Sequence, residues 1–476
     1  MKKKLDPKSK PIRIAIIGAQ WGDEGKAKYV NEAVAEAIKN GRTTWVGRFQ
    51  GGPNAGHTMF IPQNEGKPPI IFITHAAPSG IVSNTNIFIG PHTAFDPEKF
   101  VKEINNANNL GIFNNFDGIK ISERTGVLLD YHRRIDGLKE SRLTKKIGTT
   151  GSGIGPFYMD NANRTTRITF ADYVSHEFPE ILYQILIQKL QEYPELLAPD
   201  ENILQYFDNL MGIHTPIREK LADCACRLEY VLNRTLTNGD NIIIEGAQGT
   251  MLDVDLGSVP DVTSSHLTAP SGLASLGLPR SAFKIILVEK LYPTRVGEGF
   301  MPTLANNDFG QLVQENSGEC GATTGRKRRV GYPDWPLIKR SAILNDADGI
   351  VITRVDCVQD HKLKVCTGYK YPDGYTYTEV PLRLDKIFPV YADKTYIWKL
   401  WEGVRNLSDP ISVDEKLSDT RQRYVNGGFD MLPSDLQEYI KDHDDFIGVP
   451  IVGVSIGPKQ GETVKVIVNP RLQIEN

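Results

Sequence analysis

The sequence predicts an α/β protein: a large, mostly parallel central sheet flanked by helices, with inserted loops and a C-terminal extension. Three observations lead there. Short apolar, β-branched runs recur along the chain, continuous enough to be buried on both faces as parallel strands are. Each run is followed by a polar or glycine-rich segment, as expected at the carboxyl edge of such a sheet, where ligands bind. The chain also opens in the order strand, turn, helix, strand, the start of a βαβ arrangement.

Element by element, Ile12 to Ile17 reads as the first buried strand. Lys26 to Asn40 reads as a helix, with Val30, Val34, Ala37 and Ile38 on one face and Asn40-Gly41 as its stop. Thr43 to Arg48 is the next strand, and similar runs stand at Asn241 to Ile244, Ile285 to Val288, Ile350 to Ile352 and Ile451 to Ile456. Pro179 to Glu192 and Ile217 to Leu236 read as helices. Residues 360–448 mix short strands, aromatic residues and a helix over Pro433 to Lys441, and read as a peripheral extension on the same core. No internal repeat or low-complexity segment is evident. The expected organisation is a basic solvated arm over residues 1–11, followed by one α/β domain over 12–476.

Composition narrows the function. Across 476 residues, 55 Lys and Arg nearly balance 58 Asp and Glu, which argues against a dedicated nucleic-acid binder. With 40% hydrophobic and 24% charged residues the chain is ordinary globular material, not collagen, a disordered tail or a coiled-coil rod. No apolar run approaches the ~18 residues of a membrane span. The Met1-Lys2-Lys3-Lys4 start runs through a short apolar stretch straight into Trp21-Gly22-Asp23, so it reads as an arm rather than a secretion signal. Five scattered cysteines (Cys224, Cys226, Cys320, Cys357 and Cys366) without a CxxC pair fit a reducing cytoplasm and no zinc site.

Six segments carry chemistry. In Gly18-Ala19-Gln20-Trp21-Gly22-Asp23-Glu24-Gly25-Lys26, glycines after a strand let backbone N–H groups face a phosphate, a helix N-terminus adds partial positive charge, and Lys26 adds a full one. The loop resembles a P-loop in placement but is not a Walker A motif, since Ala27 stands where a Mg²⁺-binding Ser or Thr is needed. Such a loop alone is as often a tight turn. Asp23 sharpens the functional reading, because phosphate loops seldom hold a carboxylate unless a metal or a proton transfer needs it. In Gln50-Gly51-Gly52-Pro53-Asn54-Ala55-Gly56-His57-Thr58, a histidine among glycines has little local bulk to bury it and suits a general acid or donor near neutral pH. The hydroxyl-rich loop Gly148 to Pro156, and Glu245 to Asp253 with Val262 to His266, would read as solvated surface if taken alone. Gly321 to Arg329, a Thr-Thr-Gly turn followed by four basic residues, suits a grip on small carboxylates and phosphates. Finally, Asp356 in Thr353-Arg354-Val355-Asp356 lies at a strand end, where a carboxylate can accept both guanine N1–H and the 2-amino group; alone it would be a loop cap.

Taken in order, WGDEGK, NAGHT, GTTGxGIGP, EGAQGTxLDxD, VTSS, TRVGEG, GATTGRxRR and a final SIGP resemble the adenylosuccinate synthetase family, from about Ile14 to Val468. The resemblance implies a ligase that joins L-aspartate to C6 of IMP through a 6-phosphoryl intermediate, driven by GTP hydrolysis. It implies catalytic roles for Asp23, His57, Lys26 and Gln248. Mg²⁺ would lie on Asp23 and the carbonyl of Gly56. Asn54, Thr149, Thr150 and Thr263 would hold the nucleotide, joined by Arg164 from the partner of a homodimer. Gly22, Gly25, Lys26, Arg328, Arg354, Asp356, Ser455 and Gly457 would hold the triphosphate donor, and Thr323, Thr324 and Arg326 the aspartate.

The chain departs from the family pattern at Ala27, Pro53, Ser152, His266 and Arg354, and Pro270 and Ser271 alter the wall beside the nucleotide. Several of these changes surround the substrate, which raises an alternative. Like the viral 2-aminoadenylosuccinate synthetases, the protein would then run the same chemistry on dGMP or GMP, with ATP, dATP or GTP as donor, and would act in the host cytoplasm. Asp23, commonly lost in that branch, is present here and favours IMP. A second alternative is a guanine-nucleotide binding module without ligase activity; the basic Gly321 to Arg329 loop, a second-substrate site that such a module does not need, argues against it.

Overall fold

The computed structural model describes residues 10–61, 69–144, 150–319, 327–400 and 415–466. Among them, ten strands form one continuous path: β1 (Arg13–Gly18), β2 (Thr44–Gly51), β3 (Asn86–Phe95), β4 (Ile119–Ser122), β5 (Ala225–Cys226), β6 (Asn241–Glu245), β7 (Lys284–Lys290), β8 (Gly349–Thr353), β9 (Ile451–Ser455) and β10 (Thr463–Lys465). Their spatial order is β10-β9-β8-β7-β1-β6-β2-β3-β4-β5, with the short strand Gly126–Val127 paired to β3 off that path. All of these pairs are parallel except β9 with β10.

The apolar strands are buried on both faces, as their sequence requires. Helix α1 (Lys26–Lys39) lays Val30, Val34 and Ala37 against Ile16, Val46, Ile243 and Val288. The alternate residues Ala15, Ile17, Ile242, Ile244, Ile285 and Leu287 enter the larger core on the opposite face. At roughly 1.5–3 kcal/mol for each fully buried Val, Leu or Ile, this two-sided burial pins β1 between β6 and β7. The register is fixed with it, since a one-residue slip would exchange the two faces. Ile16 consequently stands opposite Ile286 on one side and Glu245 on the other.

Three sequence readings are revised. The helix expected over Ile217 to Leu236 is two helices, Ile203–Leu221 and Leu228–Thr237, parted by a turn and by β5. The first passes through Pro216 without ending there. The interruption exists because Ala225 and Cys226 extend the sheet beside Ile121 and Ser122, a tertiary pairing that helix propensity cannot foresee. The helix expected over Pro433 to Lys441 is Ser434–Ile447, closed by Gly448 at φ 81°. The 360–448 region is also less peripheral than it reads. Leu363, Val365, Cys366 and Tyr369 from Leu363–Lys370, with Trp398, Tyr439 and Ile440, are buried in the main core. Among the described residues no helix is long and apolar enough to cross a membrane.

One ion pair ties that region to the sheet. His443 Nε2 lies 3.0 Å from the Glu289 carboxylate of β7, both fully buried, and Asp444 accepts from the Ile451 amide at the start of β9 at 2.8 Å. Burial alone would lower the His443 pKa, but Glu289 and then Asp444 hold it up at about 9. A histidine raised in the folded state contributes stability that is complete below its unfolded value near 6.5 and lost as pH rises through about 9. His443→Gln should therefore cost about 3–5 kcal/mol in urea unfolding at pH 6.5, and the difference from wild type should shrink toward pH 9. A difference that stays constant across that window would show that the pair is not ionised.

Candidate active site

The carboxyl ends of β9, β8, β7, β1, β6 and β2 lie side by side, and the chemistry-bearing loops leave from them. The loop after β1 is wound around the carboxylate of Glu24, which is 1% exposed. That group accepts from the amides of Gln20 (3.1 Å) and Gly22 (2.8 Å) and from Lys26 Nζ (2.8 Å). A Cβ at Gly18 or at Gly249, in the loop after β6, would collide with this carboxylate, so both positions require glycine. Lys26 also donates to the Gln248 carbonyl at 2.5 Å. Two of its three donors are thus engaged within the protein. The Thr353 hydroxyl, at the end of β8, donates to the Glu24 carbonyl at 2.7 Å and draws a third strand into the loop.

His57 is only 6% exposed. Its own glycine-rich segment does not bury it; partners from elsewhere do. Its Nδ1 is bonded to the Glu245 carboxylate at the end of β6 and lies 3.2 Å from Ser79 Oγ. Glu245 also accepts from the Ser79 amide (2.7 Å) and hydroxyl (2.5 Å), with Arg48 3.9 Å away. Burial would raise the Glu245 pKa, but His57, Arg48 and Ser79 hold it down at about 2. Burial lowers the His57 pKa, against the pull of Glu245. The pair is therefore a carboxylate accepting from a neutral imidazole through Nδ1–H.

Gln248, of the loop after β6, lies with its Cα against Gly22 and its amide oxygen against Gly51, so it sits between the loops after β1 and β2. Both of its amide atoms are buried without a hydrogen-bond partner, as is the Asn54 carbonyl oxygen. A buried unpaired amide costs about 1–3 kcal/mol, so two such groups in one loop cluster mark a place shaped for a polar ligand. Thr263 is half-buried, its amide bonded to the Leu252 carbonyl at 2.9 Å, while Thr150 is exposed. Arg164 is exposed on the turn after helix Ile154–Ala162. None of the hydrogen bonds or ion pairs found among the described residues joins it to the loops above. Thr149, Thr323, Thr324 and Arg326 lie outside the described residues.

A second charged chain closes the site. Arg328 Nη2 lies 2.9 Å from the Asp23 carboxylate, and Arg328 Nη1 donates to Glu319 at 2.5 Å. Glu319, with its side chain fully buried, also accepts from Lys290 Nζ (3.1 Å) and the Tyr292 hydroxyl (3.0 Å). Against burial, Lys290, Arg354 and Arg328 hold its pKa far below the usual carboxylate range. Arg354 and Asp356 follow β8, with Asp356 4% exposed; Ser455 ends β9 and is 4% exposed, and Gly457 follows it, buried. Beside Gly457, a small open cleft is lined by Lys28, Asn31, Thr58, Met59, Pro458 and Gln460 among others.

Asp23, Gln248 and Arg354 are three of the six non-glycine residues with positive φ among those described, at 61°, 51° and 67°. Left-handed backbone at a Gln or an Arg is unusual and marks local strain. Asp23 offers a carboxylate and Gly56 a main-chain carbonyl, the hard oxygen donors that Mg²⁺ takes alongside phosphate and water. No group of three or more His, Cys, Asp or Glu side chains that could hold a metal exists among the described residues, so phosphate and water oxygens would complete such a shell.

Sequence reasoning missed Glu24, Glu245 and Glu319 as organising groups, along with Ser79 and Lys290. Each acts through partners that only the fold brings near. Glu319→Leu should cost roughly 3–5 kcal/mol in urea unfolding, because it strands two buried cations. Glu319→Leu/Lys290→Met should regain part of that loss. A double variant that loses at least the sum of the two single changes would contradict the pairing.

The comparisons with known proteins agree on one family. A family model described as adenylosuccinate synthetase matches residues 15–464. The adenylosuccinate synthetase of Geotalea uraniireducens (strain Rf4) is 35% identical over 466 residues, covering 96% of this chain and 99% of that protein. That of Desulfatibacillum aliphaticivorans is 34% identical over 466 residues, covering 95% and 98%. The structure of the fully ligated adenylosuccinate synthetase from Plasmodium falciparum superposes with a TM-score of 0.81 at 27% identity, covering 96% of this chain and 100% of that one. The succinoaminodeoxyadenylate synthetase of cyanophage S-2L, bound to dGMP and to dATP as an energy donor, shares the fold at a TM-score of 0.54 and 16% identity, over 97% of each chain. A strand-end site of this make-up, carried on a chain matched along nearly its whole length, belongs to a carbon–nitrogen ligase of the adenylosuccinate synthetase family.

Proposed function

We propose that the protein condenses IMP with L-aspartate, using GTP, in two steps. Asp23 takes the N1 proton of the purine, so that O6 becomes nucleophilic and attacks the γ-phosphorus as the bond to the GDP oxygen breaks. The aspartate amine then attacks C6, and the C6–O bond breaks to release phosphate, leaving adenylosuccinate. Gln248 is the donor that stabilises the developing O6 charge. His57, its ring held by Nδ1–H to Glu245, takes up a proton at Nε2 when the anionic donor is bound and donates from there to the transferring group. Lys26 and the amides of Gly22 and Gly25 hold the γ-phosphate, and Arg328 the rest of the triphosphate. Mg²⁺ on Asp23 and the Gly56 carbonyl would neutralise charge on the phosphates.

Asn54, Thr149, Thr150 and Thr263 grip the nucleotide phosphate, and Thr323, Thr324 and Arg326 the aspartate. Arg354, Asp356, Ser455 and Gly457 surround the donor base. Arg164, exposed on its turn, completes the neighbouring site of a homodimer. The catalytic unit is a single domain over residues 12–476, following the arm 1–11, and it works in the cytoplasm. The observation that carries the proposal is the unpaired Gln248 amide, buried between the loop that bears Asp23 and the strand that leads to His57.

Phosphate release and product mass, measured on IMP, dIMP, GMP and dGMP against GTP, ATP and dATP, test this directly. Aspartate-dependent turnover of IMP with GTP is expected. The second reading, dGMP with ATP or dATP, rests on Ser152, His266, Pro270 and Ser271 beside the nucleotide, and preferential turnover of dGMP would establish it. Donor binding with no turnover on any nucleotide would leave a binding module. Asp23→Ala should lower kcat by about 10²–10⁴-fold while donor affinity in calorimetry stays near wild type. Near-normal turnover would remove Asp23 as the base. Glu245→Gln should lower kcat by about 10²-fold with little change in KM, the pattern of a lost transition-state interaction; a rise in KM alone would make Glu245 a binding element instead. Arg164→Ala mixed with a Lys26→Gln variant should recover activity through hybrid dimers, and mixtures no better than either parent would refute a shared site.

A further inference from the structure

Lys28, two residues beyond the phosphate loop, faces the turn that carries Ser455 and Gly457. Its three N–H donors are shared among four acceptors, of which Ser455 Oγ (2.6 Å) and the Gly457 carbonyl (2.9 Å) are nearer than the Glu462 carbonyl (3.1 Å) and Thr463 Oγ1 (3.1 Å). Glu32, one helical turn on, stands 3.6 Å away, and the Lys28 side chain is 13% exposed. The same face of α1 holds the turn at two further points: Gln460 Nε2 donates to the Asn31 carbonyl (3.2 Å), and the Gly461 amide to Glu32 (2.9 Å). From the other side Arg421 pairs with Glu462 at 3.0 Å, and Glu462 accepts from the Lys459 amide at 2.8 Å.

This arrangement fixes the hydrogen-bonding sense of Ser455. A hydroxyl has one proton and two lone pairs. The Ser455 proton goes to the Gly457 carbonyl at 3.1 Å, and one lone pair receives Lys28. What remains is one lone pair, so the hydroxyl can accept from a ligand but cannot donate to it. The carboxylate of Asp356, close enough to Lys28 to feel its charge, is likewise an acceptor. Acceptors at the donor-base site suit guanine, whose N1–H and 2-amino group donate side by side; adenine meets the same acceptors with an accepting N1, its one exocyclic amine standing at C6 instead.

We propose that Lys28 is a positioning residue that sets donor-base selectivity, by locking Ser455 as an acceptor and fastening the base-reading turn to the helix that begins at the phosphate loop. The proposal rests on the reading of Ser455, Gly457 and Asp356 as the donor-base site. In Lys28→Met only the 3.1 Å bond to the Gly457 carbonyl still orients the Ser455 hydroxyl, which can turn from it to donate to a ligand.

The test is the ratio of kcat/KM with GTP to that with ATP, at saturating IMP and aspartate, in wild type, Lys28→Met, Lys28→Arg and Ser455→Ala. The ratio should fall at least tenfold in Lys28→Met and stay within about threefold of wild type in Lys28→Arg. A purely structural lysine would weaken both donors in the same proportion, and a ratio unchanged in Lys28→Met overturns the proposal. Should that variant fail to fold, Ser455→Ala answers in its place: it removes the oriented hydroxyl and leaves the ammonium its other partners. The same fall is expected there, and an unchanged ratio overturns the proposal. A wild-type enzyme that does not prefer GTP overturns the donor-base reading itself, an outcome separate from any effect of Lys28.

Discussion

The buried carboxylate of Glu24 is the constraint on which the site depends. A charge with its side chain at 0% exposure is tolerated only where it is paired and hydrogen-bonded. Here two backbone amides and an ammonium meet it. Satisfying that one anion dictates the rest of the loop. The chain turns back on itself, which puts Asp23 and Gly25 in left-handed backbone at 61° and 92°. Gly18 and Gly249 must lack side chains, and Lys26 must fold inward toward the loop after β6. The glycines that read as a phosphate cradle therefore have a second cause: they make room for an internal anion.

The same logic explains what was legible in the sequence. The strands at the middle of the sheet were readable because a parallel strand buried on both faces must be apolar at every position, and Ile14 to Ile17, Ile242 to Ile244 and Ile285 to Val288 are. Helix Lys26–Lys39 was readable because only one of its faces is buried. Strand β5 was not, since two residues carry no periodicity and their only reason to be extended is the edge of β4. Asn86–Phe95 escaped notice too, its apolar run broken by Gly90, Pro91 and His92.

In the site, Asp23 and His57 declared themselves among their glycines, while Gln248 was picked out only by the family resemblance. The groups that hold them did not. Glu245 is 188 residues from His57, and Gln248 is 222 residues from Lys26, so nothing in either local segment signals the contact. Burial hides them further. A buried carboxylate beside an apolar strand looks in sequence like the polar end of that strand, which is where Glu245 and Glu289 both stand.

A common design emerges from these buried anions. Glu24 holds Lys26, Glu245 holds His57 next to Arg48, and Glu319 holds Lys290 and Arg328. Each pair is formed during folding, so the orientation of the working group is set before any substrate arrives. Each also leaves something unused: the third donor of Lys26, Nε of Arg328 and Nη2 of Arg48 have no hydrogen-bond partner. Donors left over beside satisfied anions can still take acceptors from outside the protein. The strained residues fit the same design. Asp23, Gln248 and Arg354 come from the loops after β1, β6 and β8, and left-handed conformations of this kind persist only where the surroundings over-determine them. The Glu24 knot supplies that over-determination, since its backbone, its carboxylate and its lysine reach all three loops at once. Relaxing any one of the three loops would break a buried hydrogen bond of this knot, so the strain is held in place.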